Sequence, residues 1–177
     1  MTEKDHLILT AIGTDQVGLV EKISKFITGC GCNIEDSKMA VFCGEFAVII
    51  LISGPEGALG RVSREYKTME KETGLAVALK RPATRVGGQQ VLPYKLVASC
   101  MDHPGVVYRI SAVLSLLGVN IESMETKTYS APESGTPLFQ MEAHISVPAQ
   151  ANIKQLREQL GDIQRDENID IEVRSRL

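Results

Sequence analysis

From His6 to Gly13 the chain reads as a strand, and from Val17 to Cys30 apolar residues recur at helical spacing, with Val20, Ile23 and Ile27 on one side. Gly29 and Gly31 then provide the usual end of a helix. Two strand-like runs, Asn33–Phe42 and Glu45–Ser53, flank Cys43-Gly44, which predicts a hairpin with a tight connection. Leu59, Val62, Tyr66 and Met69 mark the apolar stripe of a second helix, Gly74 stops it, and Leu75–Lys80 makes a short closing strand. The predicted order is βαββαβ. After a Pro- and Gly-containing stretch, the order returns from Tyr94: a strand, a helix over Val106–Leu117, a hairpin of Val119–Tyr129 and Leu138–Val147, a helix over Ile153–Leu160 and a strand over Ile169–Val173.

The return is also a sequence repeat. At an offset of 87, which is 102 minus 15, the two halves share Asp15/Asp102, Gly18/Gly105, Val20/Val107, Ile23/Ile110, Ser24/Ser111, Gly31/Gly118, Asn33/Asn120, Ile34/Ile121 and Glu35/Glu122. Further on, Phe46/Phe139, Ile52/Ile145 and Ser53/Ser146 align at an offset of 93, so six extra residues sit in the second copy, in the hairpin loop Ser130–Pro137. The expected layout is therefore residues 1–81, a linker at 82–93, and residues 94–177. Copies of roughly 80 to 90 residues can fold alone but bury modest cores.

A βαββαβ order with right-handed crossovers leads to an α+β fold in which both helices cover one face of a four-stranded antiparallel sheet, the ferredoxin-like arrangement, here made twice. The other face of each sheet is left open. In the second copy Phe139, Met141, Ala143 and Ile145 alternate with polar residues, whereas Phe46–Ile52 is apolar at every position. The first copy's free face, with Val48, Ile50 and Ile52 or their neighbours on it, is therefore expected to pack against another domain or subunit.

Composition narrows the class. The 177 residues are 44% hydrophobic and 23% charged, with a formal net charge of −3, which is ordinary globular composition and unsuited to polyanion partners. The longest apolar run, Phe46–Ile52, is far short of the ~18 residues of a membrane span, and Met1–Asp5 lacks the pattern of a signal peptide, so a cytoplasmic protein without membrane contact is expected. Cys30, Cys32, Cys43 and Cys100 fall three in one copy and one in the other, which suits reduced thiols. His6, His103 and His144 stand singly, with no Cys or Ser at motif spacing, and one Cys-Gly-Cys is not a metal cluster. No catalytic residues, metal ligands or cofactor are expected.

The chemistry that remains is in the repeated turns. Thr14-Asp15-Gln16-Val17-Gly18 and Met101-Asp102-His103-Pro104-Gly105 each place an Asp at the expected helix N-cap and a Gly in the first turn, where it costs about 1 kcal/mol relative to Ala. A missing Cβ opens that turn to a small carboxylate, which free N–H groups and the helix dipole favour. Alternatively, the glycines only allow close packing of strand, helix and hairpin. Asn33 and Asn120, at the start of each hairpin, can donate to a carboxylate and accept from an ammonium, or can serve as left-handed residues leaving the helix.

An Asp-x-x-Gly-[Leu/Val] turn after a strand, followed by Gly-x-Asn-Ile in a βαββαβ unit, resembles the ACT domain, a regulatory module that binds amino acids. Two such units over nearly the whole chain, with no catalytic domain, resemble the glycine cleavage system transcriptional repressor family. The resemblance implies ligand contacts where two modules meet, from Asp15, Gln16, Val17 and Gly18 or Asp102, His103 and Gly105 on one side and Asn33 and Ile34 or Asn120 and Ile121 on the other. His103-Pro104, where the first copy has Gln16-Val17, makes the two sites unequal. It further implies a small amino acid as ligand, a regulatory or transcription-factor protein as partner, and a homo-oligomer. The Ser130–Pro137 loop is a candidate partner contact. The other reading is a ligand-free interaction module whose Gly and Asn are structural. Acylphosphatase shares the element order but would want an Arg where this chain has Thr-Asp-Gln-Val. An RNA-recognition motif would need exposed aromatics and a basic residue on its third strand, where this chain has Glu45 and a single Phe. No helix-turn-helix or basic face supports DNA contact by the chain itself.

Overall fold

A computed structural model of the chain describes residues 5–83 and 90–176. Contacts divide it into two compact units, Met1–Arg85 and Val86–Leu177. The first contains β1 (Asp5–Thr14), α1 (Leu19–Gly29), β2 (Asn33–Phe42), β3 (Glu45–Gly54), α2 (Glu56–Thr73) and β4 (Ala76–Lys80). The second contains β5 (Val91–Met101), α3 (Val106–Leu116), β6 (Asn120–Ser130), β7 (Pro137–Pro148), α4 (Ile153–Glu167) and β8 (Asp170–Ser175). Both sheets are four-stranded and antiparallel, in the orders β2-β3-β1-β4 and β6-β7-β5-β8, so each unit is the ferredoxin-like arrangement expected from the element order.

In the first unit Leu7, Leu9, Ala11, Phe46, Ile50 and Ile52 point from the sheet to the helices and are buried with Leu59, Val62 and Met69 of α2. Leu19, Ile23 and Ile27 form the buried stripe of α1. The expected stripe ran through Val20; in the structure Val20 is half-exposed, because a helix starting at Leu19 turns the i, i+4, i+8 row inward. The second core repeats this with Leu96, Met141, Ile145, Ile110, Leu114, Leu156 and Leu160. Val48, Ile50 and Ile52 thus lie on the helix side, and the neighbours Ala47, Ile49 and Leu51 form the open face.

Two boundaries differ from the sequence reading. Helix α4 continues past Leu160 to Glu167 and ends at Asn168, a left-handed cap with φ 53°. Strand β5 begins at Val91, so part of the expected linker is strand; linker residues 84–89 lie outside the described residues. Pro93 is tolerated there because its carbonyl accepts from Arg176 N at 3.1 Å, which turns its missing N–H toward the end of β8, beyond the last ladder bond. The extra residues of the second copy form a compact turn between β6 and β7, closed by Ala131 N donating to Thr136 O at 2.9 Å.

Candidate functional site

The repeated Asp turn is built differently from the expectation. Neither Asp15 nor Asp102 caps a helix; the N-caps are Gly18 and Gly105 themselves, at φ 93° and 102°, with no side-chain cap on either helix. The aspartates sit too early, and their backbone N–H groups are committed to the hairpin, Asp15 N donating to Gly44 O at 2.8 Å and Asp102 N to Pro137 O at 2.9 Å. A Cβ added at Gly18 or Gly105 would meet nothing within 4 Å, which rules out the close-packing explanation. The glycines are there because the chain enters each helix through a left-handed residue. The same openness leaves the first helical turn approachable from outside. Asp15, Gln16 and Val17 are exposed, Asp102 is exposed, and the His103 ring lies partly buried with Nδ1 at 3.3 Å from Pro104 O.

The second repeated element is a helix end followed by a bulge. Gly31 and Gly118 are the left-handed residues of Schellman caps, with Cys32 N donating to Ile27 O and Val119 N to Leu114 O at 3.2 and 2.9 Å. Asn33 and Asn120 do not have positive φ and are therefore not the left-handed residues. They open β2 and β6 opposite Ser53 and Ser146. Ile34 and Ile121 follow, pointing toward the helices, and the register then shifts by one residue in both units, so Glu35 and Glu122 are the extra residues of a pair of β-bulges. Ser53, itself buried, donates through Oγ to Glu35 Oε1, and Asn120 Nδ2 donates to Glu122 Oε1 at 2.6 Å. The bulged carboxylates adjoin the candidate residues Asn33 and Asn120 and were not among the site residues expected from the sequence. Their signal was a change of parity: Ile34 and then Met39 and Val41, or Ile121 and then Met124, cannot face the same side of an unbroken strand.

Within one unit the two elements do not meet. Thr14, at the Asp turn, is level with Glu45, whereas Asn33 is level with Ser53 and His6, eight residues away along β1. At 3.4 Å per residue the separation is about 27 Å. The second unit is the same, with Met101 level with Leu138 and Asn120 level with Ser146 and Pro93. A site using both elements has to take them from two modules. Beside the second unit's Asn120 and Ile121 lies an open groove of about 570 Å³ between α3 and β6, bordered by Tyr108, Ser111, Ser115 and Gly118.

All four cysteines are free, and burial, the first cause in each case, raises the thiol pKa of Cys30, Cys32 and Cys100, keeping them protonated near neutrality. Among the described residues no group of three or more His, Cys, Asp or Glu could hold a metal ion, and no helix is long and apolar enough to cross a membrane.

A model of the ACT domain matches residues 5–80, so the first unit is an ACT domain, and the second unit repeats its element and sheet orders. It is similar to the glycine cleavage system transcriptional repressor of Escherichia coli (strain K12), with 26% identity over 152 residues that cover 86% of this chain and 80% of that protein. A crystal structure of an unknown protein from Galdieria sulphuraria superimposes over 99% of this chain and 100% of its own, with a TM-score of 0.82 and 26% identity. A candidate glycine cleavage system transcriptional repressor of known structure shares the fold over 98% of both chains, with a TM-score of 0.68 at 22% identity.

Proposed function

We propose that this chain is a non-catalytic regulator that senses a small amino acid, of glycine or serine size, where two ACT modules meet, and acts by contact with another protein, on transcription of amino-acid metabolism genes. The observation that carries the reading is the Asn-Ile-Glu bulge, made in both units and bordering an open groove in the second. Asn120 and Glu122 place a carboxamide and a carboxylate side by side, which suits a ligand that carries both an ammonium and a carboxylate. The complementary contacts are the uncapped helix starts at Gly18 and Gly105, with Asp15, Gln16, Val17, Asp102 and His103 around them. Similarity to a transcriptional repressor over most of both chains supports the regulatory role. The partner is a regulatory or transcription-factor protein and not nucleic acid, in keeping with the net charge of −3, and the site of action is the cytoplasm.

A five-heavy-atom ligand at about −1.5 kcal/mol per atom is limited to low-micromolar affinity, and tens of micromolar to millimolar is the working range of a metabolite sensor. Signalling then requires the ligand to favour one arrangement of modules over another. Calorimetric titration of glycine and serine into the wild type and into Asn33→Ala and Asn120→Ala tests the placement. Loss of binding in at least one variant is expected; full binding by both sinks the site.

A specific observation supports a second reading, a ligand-free interaction module: the left-handed φ of Gly18 and Gly105 accounts for both glycines without a ligand. The same titration separates the two, since this module would bind neither amino acid.

A further inference from the structure

The open sheet faces of the two units are built from different material. In the second unit Lys95, Glu142 and His144 occupy the centre of the face, with Lys95 Nζ 2.6 Å from Glu142 Oε1, as befits a face in water. In the first unit the central strands present Leu51, Ile49 and Ala47 from β3 beside Ile8, Thr10 and Ile12 from β1. Ile12 is 57% exposed and Ile49 48% exposed, on strands where a solvated face would alternate to polar residues. The charges lie at the margins. Asp36 on the outer strand β2 is level with Leu51, Leu51 with Ile8, and Ile8 with Lys80 on the opposite outer strand β4, so this row is acidic at one end and basic at the other, while the next row carries Lys38 at its β2 end and Ala78 at its β4 end.

We propose that this face is a homodimer interface, in which two copies of the chain meet sheet to sheet about a two-fold axis running along the strands between β3 and β1. A symmetric interface must complement itself, and this row does. The axis lays β3 of one copy over β1 of the other. Leu51 then meets the partner's Ile8, Ala47 meets the partner's Ile12, and Asp36 stands opposite the partner's Lys80, a contact made twice. Small against large at Ala47 and Ile12 is what side chains from two faces need to interdigitate across about 10 Å. This axis leaves Lys38 over the partner's Ala78, whereas an axis across the strands would set Asp36 over Ala40, Lys80 over Ala76 and Lys38 over the partner's Lys38, with no opposite charges paired. Three rows on four strands give a footprint of about 400 Å² per copy, about 800 Å² in total, which is less than a stable specific dimer buries, so the association is weak and concentration-dependent.

The inference goes beyond the sensing role and does not depend on any amino acid binding. Sedimentation equilibrium of the full chain from about 1 to 200 μM reads it directly. The wild type is expected to move from one to two copies of the 19.3 kDa chain across that range. Asp36→Lys and Lys80→Glu should each raise the dissociation constant at least roughly tenfold, because each sets like charges face to face twice, and the double reversal should return it to within about threefold of the wild type. Both side chains are exposed on outer strands, and an unchanged unfolding midpoint checks that the fold is kept. A wild type that stays monomeric overturns the proposal, since the face is then covered by the chain's own second unit or by a different protein. A dimer indifferent to both single reversals, or a double variant as weak as the singles, overturns it too.

Discussion

Replacing Gly18 or Gly105 by alanine should destabilise the unit that contains it by about 1–2 kcal/mol, entirely through the backbone. The two residues sit at φ 93° and 102°, where an L side chain is strained by its own main chain. The surroundings add nothing, because a Cβ at either position meets no atom within 4 Å. The strain is therefore the whole effect, and three substitutions at one site resolve it. Alanine pays it in full; asparagine, which visits the left-handed region more readily, should lose about half as much. D-alanine, introduced by peptide ligation, has the required hand and should be neutral or stabilising by about 0.4–1 kcal/mol through a less free unfolded chain. Urea unfolding followed by circular dichroism, with unchanged denaturant dependence, is the assay. An alanine loss under about 0.3 kcal/mol would show that the turn is not held left-handed, and one above about 3 kcal/mol would show a contact that the structure does not contain. Either result would refute the account of why glycine occurs at this point twice.

Ile110→Ala, which truncates a fully buried side chain on the inner stripe of α3, should cost about 2–5 kcal/mol, and Ile23→Ala on α1 should match it, both read by chemical denaturation. Ser53→Ala removes a buried hydroxyl that donates to the Glu35 carboxylate and should cost about 1.5–3 kcal/mol by the same assay. The hydrogen bond from Lys95 lowers the pKa of Glu142 below its ordinary 4.5, so its share of stability is present above that value and is lost as pH falls through the depressed one. NMR titration of the Glu142 carboxyl should show the lowered midpoint, and Lys95→Met should return it toward the ordinary value.

The sequence was most informative where pattern and local chemistry agreed. Strand β2 has the predicted bounds because Gly31 ends the preceding helix and Cys43-Gly44 turns the hairpin, both with positive φ. It was least informative where one residue type can serve two geometries. An Asp followed by Gly near a helix start reads as an N-cap, but the Asp15 N–H is tied to the hairpin and the helix starts three residues later through Gly18. Pro93 reads as linker, yet its place at the end of a neighbouring strand makes it harmless. Helix α4 runs past Leu160 because Ile163 continues its apolar stripe onto the core, and Arg165 and the left-handed cap Asn168 then close it. The Asn-Ile-Glu repeat was legible as a repeat, while its bulge was hidden in a parity shift of a single residue.

The central claim, that paired ACT modules here sense a small amino acid, is tested most directly by thermal unfolding of the purified chain against each of the amino acids in turn at millimolar concentration. A ligand at about 100 times its dissociation constant adds roughly 2.7 kcal/mol, enough to raise the midpoint of a chain this size by several degrees. A selective rise with glycine or serine, absent with larger side chains, is the result predicted. A midpoint unmoved by every amino acid would contradict the claim and leave the repeated Gly and Asn as structural parts of a ligand-free interaction module.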